Sequence, residues 1–499
     1  MEGPVRLTEV LVNNFKAFGE GRGFPIAPLT LLYGENSVGK SSILQALLLL
    51  KQSFDGRIVE TTDPGPPALM TSGPWVDVGS FNNAIYNRDN SLEMRIGVGF
   101  SVWPADAEIS AEEDAAEPDE TIPTMHEPVF RCVVKLGFTG GTLSSCQLVT
   151  DALGTIQTSV ESSWDERPCL VTDGDSHVQL WNALGVRWAK TALGPPHPVF
   201  ALRGPLPGSL IGLRWKDRAD LDLSTLEFVR GALADRPYPE PLRAKFFNSL
   251  APKWARHARD IAFSFDRFLR SLTYVGPTRP APTRAPVELA SISLANLHDD
   301  QRMLDEINRW FRDARIDYQI GVEDWGVLAA DGQSIPPDSR TGRFILGSRS
   351  SPLMTFAFAD VGYGLGQVLA VAAQAVSQPL GGAIVLIEQP ELHLHPRLQT
   401  EVGDLLLLAT ALGREQLIVE THSEHLLLRL GRRIRDGGLQ RANLGVLWIG
   451  DLDESSGAPG RSVVTMELDR SGEVIDWPAG FFSEDITERL ARPSPSRVR

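Results

Sequence analysis

Residues 383–396 read Ala-Ile-Val-Leu-Ile-Glu-Gln-Pro-Glu-Leu-His-Leu-His-Pro. Five apolar residues, mostly β-branched, run straight into the carboxylate of Glu388. An uninterrupted apolar run of strand length is the pattern of a parallel strand buried on both faces. The C-terminal end of such a strand is where open α/β sheets bind ligands. In a nucleotide-hydrolysing protein a carboxylate at that point helps hold magnesium, and the next residue is often the group that orients water. Here the next residue is Gln389, whose amide cannot accept a proton. The stretch therefore predicts a nucleotide site with an altered catalytic position.

The other half of that site lies near the N-terminus. Gly34-Glu35-Asn36-Ser37-Val38-Gly39-Lys40-Ser41-Ser42 matches the P-loop pattern G-x-x-x-x-G-K-[ST]. Glycines let the backbone curl so that its N–H groups face the phosphates. The expected nucleotide contacts are Gly34, Asn36, Ser37, Gly39, Lys40, Ser41 and Ser42. Lys40 reaches for the β- and γ-phosphates, and the Ser41 hydroxyl and Glu388 are the expected magnesium (Mg2+) ligands. Residues 28–33 read as a short buried strand entering the loop, and residues 41–54 as the helix leaving it. The phosphates of ATP then lie at a helix N-terminus. The bland alternative, a glycine-rich turn with an incidental lysine, explains neither flank.

The chain has 499 residues, about three domain equivalents. No run of about eighteen apolar residues occurs, so no membrane span is expected. The first residues lack a basic region followed by an apolar run, the pattern of a secretion signal. Three cysteines without metal spacing suit a reducing cytoplasm. The formal charge of −15 is concentrated in residues 104–127, which carry nine acidic residues and no Lys or Arg, and which read as a solvated linker. Arg429, Arg432, Arg433 and Arg435 fall on one predicted helix, and four more arginines lie in the tail. DNA binding or an ordinary solvated helix face explains them equally well.

A strand is predicted over residues 7–13. Residues 94–98, 129–134 and 145–149 alternate or cluster as short strands separated by Gly and Pro. From 241 to 272 the period turns helical, as it does over 301–314. Pro396 suits the first position of a helix running to about Gly413, and residues 416–420 form the next strand. This β-α-β unit requires the two strands to be parallel and adjacent. Residues 446–450 and 462–466 read as a hairpin with Asp451–Pro459 as its loop, which opens on the D-x-D of Asp451-Leu452-Asp453.

With these motifs placed, the chain resembles the ABC-type ATPase heads of the RecF, SMC and OLD kind. Asn14-Phe15-Lys16-Ala17-Phe18 resembles their N-F-K-x-F opening, and Gly34-Glu35-Asn36 their P-loop variant. The stretch Asp360-Val361-Gly362-Tyr363-Gly364-Leu365-Gly366-Gln367 resembles the signature before the Walker B strand, and Thr421-His422-Ser423 the switch histidine. Residues 388–396 and 420–425, with Asp476-Trp477-Pro478-Ala479-Gly480-Phe481-Phe482, resemble one bacterial AAA-type subgroup ending in a small domain of uncharacterised role.

That resemblance implies an α/β fold. Its core is a P-loop ABC-type ATPase head, a mixed, mainly parallel sheet with flanking helices, interrupted by a β-rich plus helical insertion. The expected divisions are 1–84 and 272–435 for the two parts of the head, and 85–271 for the insertion, β-rich to about 230 and helical after it. Residues 436–499 form a small C-terminal domain and basic tail. It further implies a homodimer or higher oligomer of heads. ATP is held between one P-loop and the partner's Asp360, Gly362, Gly364, Gly366 and Gln367. The catalytic group is Gln389, with Glu391 as a substitute base and His422 as the γ-phosphate sensor. The expected function is a slowly hydrolysing cytoplasmic ATP switch controlling a separate effector protein encoded nearby, in DNA maintenance or anti-phage defence. An OLD-like ATPase–nuclease and a transporter subunit are the alternatives. The pairs His393-x-His395 and His422-x-x-His425 also have zinc-ligand spacing, against which ordinary loop histidines are weighed.

Overall fold

The computed structural model describes residues 5–19, 21, 23–55, 67–102, 130–151, 154–162, 168–172, 197–203, 206–214, 221–222, 251–279, 300–325, 341–351, 354–357, 360–361, 363–376, 382–411, 415–451 and 460–475. The acidic segment 104–127, the helical period expected over 241–250, Gly362, Leu452, Asp453, the 476–482 motif and the basic tail lie outside them. The chain divides into two compact units. One comprises residues 1–26, 41–273 and 451–462, the other residues 27–40, 274–450 and 463–499.

The first unit is built on a ten-stranded sheet. Strand β1 (Leu7–Asn13) pairs antiparallel with β2 (Phe24–Pro25) on one side and β4 (Met94–Val102) on the other. The sheet then continues as an antiparallel meander through β5 (Phe130–Thr139), β6 (Thr142–Thr150), β7 (Gly154–Ser162), β8 (Pro168–Thr172), β9 (His197–Arg203), β10 (Leu206–Arg214) and β11 (Leu221–Asp222). The strands expected as an insertion thus extend the sheet that β1 begins. Alternate residues Ile96, Val98, Phe100 and Val102 are buried, as the two-residue strand period requires. Helix α1 (Lys40–Phe54) and helix α2 (Ala251–Ser271) supply the aromatic packing. Phe265 and Phe268 lie 6.0 and 6.1 Å from Phe100, and Phe54 lies 6.2 Å from Phe138, centroid to centroid. The buried Lys51 ammonium is satisfied by the Leu269 carbonyl at 2.8 Å and by Asp55 at 3.1 Å.

The second unit carries a six-stranded sheet. Its order is β12 (Leu272–Val275), β16 (Ala383–Glu388), β17 (Glu415–Glu420), β3 (Leu29–Gly34), β18 (Leu444–Asp451) and β19 (Arg461–Thr465). Strands β16, β17, β3 and β18 are successively parallel. Every residue of β16, β17 and β3 is buried, which explains why their sequences are apolar runs rather than alternations. The exceptions are polar residues at strand ends, among them Glu415, which opens β17 opposite Ala383. A second, antiparallel sheet joins β13 (Tyr318–Trp325), β14 (Thr341–Ser348) and β15 (Thr355–Ala357).

Among the described residues, four helices flank these sheets: α3 (Gln301–Asp313), α4 (Tyr363–Val376), α5 (Pro396–Ala411) and α6 (Glu424–Arg435). Proline opens α5, where its missing N–H costs nothing. Ser423 caps α6 by accepting from Leu426 N–H at 3.2 Å. The four arginines of α6 are all ion-paired. Arg433 grips Asp404 of α5 with two nitrogens at 2.7 and 2.6 Å, and Arg429 meets Glu401 at 2.7 Å. Arg432 and Arg435 pair with Asp436 and Glu473. Arg429 and Arg433 thus tie α6 to α5, whereas Arg432 and Arg435 pair at the exposed surface.

Candidate functional site

Parallel register places the C-terminal ends of four strands along one edge. Glu388 lies opposite Glu420, Glu420 opposite Leu32, and Ile449 opposite Gly34. The loops that follow therefore converge there, as the switch-point rule for open α/β sheets requires.

The P-loop leaves β3 at Gly34, whose φ is +148°. A Cβ at this position would sit 2.3 Å from the Ile449 carbonyl oxygen, so the neighbouring strand admits only glycine. Ser37 and Gly39 also have positive φ, at 64° and 114°, and α1 begins at the next residue. Asn36 and Ser37 are exposed on the loop, and Ser42 is buried in the first turn of α1, just after Ser41. Lys40 is buried, and its ammonium donates to the carbonyls of Gly34 at 3.1 Å and Glu35 at 2.7 Å. Burial lowers its pKa, against the opposing pull of the Glu420 and Glu391 carboxylates. A buried cation at a helix N-terminus, beneath a curled backbone, is a site built for phosphate.

At the end of β16, Glu388 is buried and accepts the Tyr274 hydroxyl at 2.8 Å. Burial, then the Glu388 charge, raises the Tyr274 pKa, so it stays a donor. The Arg279 guanidinium donates to the Glu388 carbonyl at 2.8 Å and the Gln389 carbonyl at 3.4 Å. Gln389 adopts φ 45°, a left-handed conformation costing a non-glycine residue about 1–3 kcal/mol. Its N–H is pinned to the Glu420 carbonyl at 2.8 Å, which ties the Walker B turn to β17.

The segment after β17 is held from several sides. Thr421 N–H donates to the Leu32 carbonyl at 3.1 Å, and the Tyr33 hydroxyl donates to the Ser423 carbonyl at 2.9 Å. The Ser423 hydroxyl donates to Gln399 of α5 at 2.7 Å. The His422 N–H donates to Glu391 Oε1 at 2.7 Å. Glu391 Oε2 is buried with no partner among the described residues. Burial raises the Glu391 pKa, partly offset by the hydrogen bond from His422. The His422 ring is exposed, and partial desolvation followed by the Lys40 charge lowers its pKa. Lys40, Glu388, Gln389, Glu391 and His422 thus share one sheet edge.

The signature stretch packs beside this edge. A Cβ on Gly364 would lie 2.8 Å from the His393 carbonyl oxygen, so the start of α4 abuts the turn after Walker B. Gly364, His393 and His395 border a cavity of about 370 Å³. Asp360 is exposed and Gly366 half-buried. Gln367 is buried, and its amide donates to the Arg279 carbonyl at 3.3 Å, a packed position within its own chain. No group of three or more His, Cys, Asp or Glu side chains converges as a metal cluster among the described residues. Tyr33, Tyr274 and Arg279 were not among the residues expected at the site. Tyr274 lies on a legible strand, but no spacing announced its bond to a carboxylate 114 residues on.

Residues 6–136 match the family model described as "AAA ATPase domain", and residues 353–429 match that described as "AAA domain, putative AbiEii toxin, Type IV TA system". The first segment includes residues 34–42, and the second includes Glu388 and His422. Both matches support an AAA-type ATPase, and the fold is the α/β class expected from the motifs. Solved structures similar to it include SMC heads. The SMC head domain from Thermotoga maritima aligns at 11% identity over 93% of this chain and 100% of that one, with a TM-score of 0.37. The Smc head domain with an extended coiled coil from Pyrococcus furiosus, bound to the C-terminal domain of ScpA, aligns at 10% identity over 93% and 96%, with a TM-score of 0.39. The Pyrococcus yayanosii head with coiled coil and joint gives 10%, 94% and 98%, with a TM-score of 0.38. No curated protein matches the chain. No helix among the described residues is long and apolar enough to cross a membrane.

Proposed function

We propose that this protein is an ABC-type ATP switch in which nucleotide binding, rather than rapid turnover, is the signal. Two heads close head to tail over ATP, each contributing its P-loop and receiving the partner's stretch of residues 360–366. The closed state controls a separate effector in bacterial defence or DNA maintenance, and the defence context is supported by the description of the family model that matches residues 353–429. The observation that carries the reading is Gln389, fixed after the Walker B carboxylate on a turn pinned to Glu420, on the same edge as Lys40 and His422.

Lys40 exchanges its two loop carbonyls for β- and γ-phosphate oxygens. Ser41 and Glu388 each offer an oxygen donor of the kind magnesium prefers and would hold that ion. Magnesium, when bound, would neutralise charge on the β- and γ-phosphates. Gln389 orients water through its amide but takes no proton, so the nucleophile is weakly activated. His422 reads the γ-phosphate.

The test is sedimentation velocity of the full chain with ATP, ADP or no nucleotide, alongside steady-state turnover. ATP should shift the wild type to a larger species and leave Lys40→Ala unchanged, because that variant should no longer bind ATP. No ATP-dependent assembly, or a turnover at the median enzyme value of about 10 per second, would sink the proposal.

A further inference from the structure

We infer that Glu391 is a positioning residue, a carboxylate strut that fixes the main chain of His422 against the Walker B turn. The inference rests on the nucleotide-switch reading and assigns one residue of that site a different part from the substitute base its sequence position suggests.

Strand β17 ends at Glu420, so the main chain beyond it has no ladder to hold it. Three attachments flank His422: Leu32 takes the Thr421 N–H, Gln399 takes the Ser423 hydroxyl, and Tyr33 reaches the Ser423 carbonyl. The amide of His422 itself is held by Glu391 Oε1 at 2.7 Å. The strut is fixed at its own base as well. Gln389 N–H is tied to the Glu420 carbonyl, and Leu394 N–H closes a turn onto the Glu391 carbonyl at 3.0 Å.

A general base needs an oxygen that faces the attacking water. Glu391 offers none: Oε1 is committed to a backbone donor, and Oε2 is sealed from solvent. An acid only 8% exposed and, among the described residues, without an ion-pair partner close enough to bond it, is costly to keep for packing alone. A carboxylate makes a stronger acceptor for an amide than any neutral side chain. It therefore links the turn carrying Gln389 to the loop carrying His422, so that displacement of one moves the other.

The experiment compares wild type, Glu391→Gln, Glu391→Ala, His422→Ala and the Glu391→Ala/His422→Ala double variant. For each, affinities for ATP and ADP are measured with single-turnover hydrolysis. Glutamine still accepts the His422 N–H but cannot take a proton, so Glu391→Gln should hydrolyse within about twofold of wild type. Glu391→Ala should lose at least about tenfold in ATP-over-ADP preference, the size expected for deleting a charged hydrogen bond. The double variant should be no worse than His422→Ala alone. A Glu391→Gln loss as deep as that of Glu391→Ala, or additive losses in the double variant, would overturn the assignment. Where Glu391→Ala fails to fold, Glu391→Gln decides by itself. Lys40→Ala separates the two levels: if it binds ATP as wild type does, the nucleotide site itself is misplaced.

Discussion

Glu415 opens β17 only 5% exposed, and neither carboxylate oxygen has a partner among the described residues. Burial pushes its carboxyl from 4.5 up to about 9. Across the neutral range the folded chain keeps a proton that the unfolded chain has released. The native state then binds more protons than the unfolded one, so stability falls as pH rises. The loss begins above the unfolded value and levels off once pH passes the folded value. One pKa unit corresponds to about 1.4 kcal/mol, so between about pH 5 and pH 8 this residue should remove roughly 4 kcal/mol from the unit that contains it. Glu415→Gln keeps the shape and removes the titration. Thermal unfolding followed by circular dichroism should show the two proteins close together at pH 5. At pH 8 the variant should melt higher by on the order of 10 °C, at about 2–4 °C per kcal/mol. Parallel pH dependence of the two melting temperatures would refute the reasoning, because it would mean that Glu415 ionises in the folded state as it does in the unfolded one.

Two further outcomes test the site directly. Gln389→Glu places a proton acceptor after the Walker B carboxylate and should raise single-turnover hydrolysis by about ten- to a hundredfold, since a positioned general base contributes at least that much; an unchanged rate would show that this position does not limit turnover. Gly34→Ala drives a methyl to within 2.3 Å of the Ile449 carbonyl at φ +148°, so it should weaken ATP binding by more than about tenfold in a titration and lower the melting temperature as well. Wild-type affinity in that variant would mean that the loop can re-form away from β18.

The elements of the second sheet were legible because complete burial writes itself as an apolar run. Glu388, Pro396 and Glu420 sit at the strand and helix ends that the run lengths and the proline predicted. The destination of β1 was not legible. Its pattern reports burial but not a partner, and it pairs with β4 rather than with β3. Likewise the arginines of α6 read as a basic stripe, because Glu401 and Asp404 answer them from another helix. Within the site, Lys40 and Glu388 were found because phosphate chemistry fixes local spacing. Arg279 and Tyr274 act on the same carboxylate residue from 109 and 114 positions away, and no local rule ties them to it. The left-handed Gln389 was equally silent, since a strained backbone leaves no mark when the residue is not glycine.

Strand β3 takes its two neighbours from the far end of the chain, β17 beginning at Glu415 and β18 at Leu444. At about 5–20 residues per second of synthesis, the P-loop strand waits roughly 20–80 s on the ribosome before its first partner emerges. During that interval Lys40 and its loop exist without the sheet that orders them. A chain broken off before residue 415 carries the whole phosphate-binding motif yet has nothing to hang it on. The P-loop strand thus gains both of its sheet neighbours only after most of the chain has been made, so the order of synthesis and the order of the sheet run against each other.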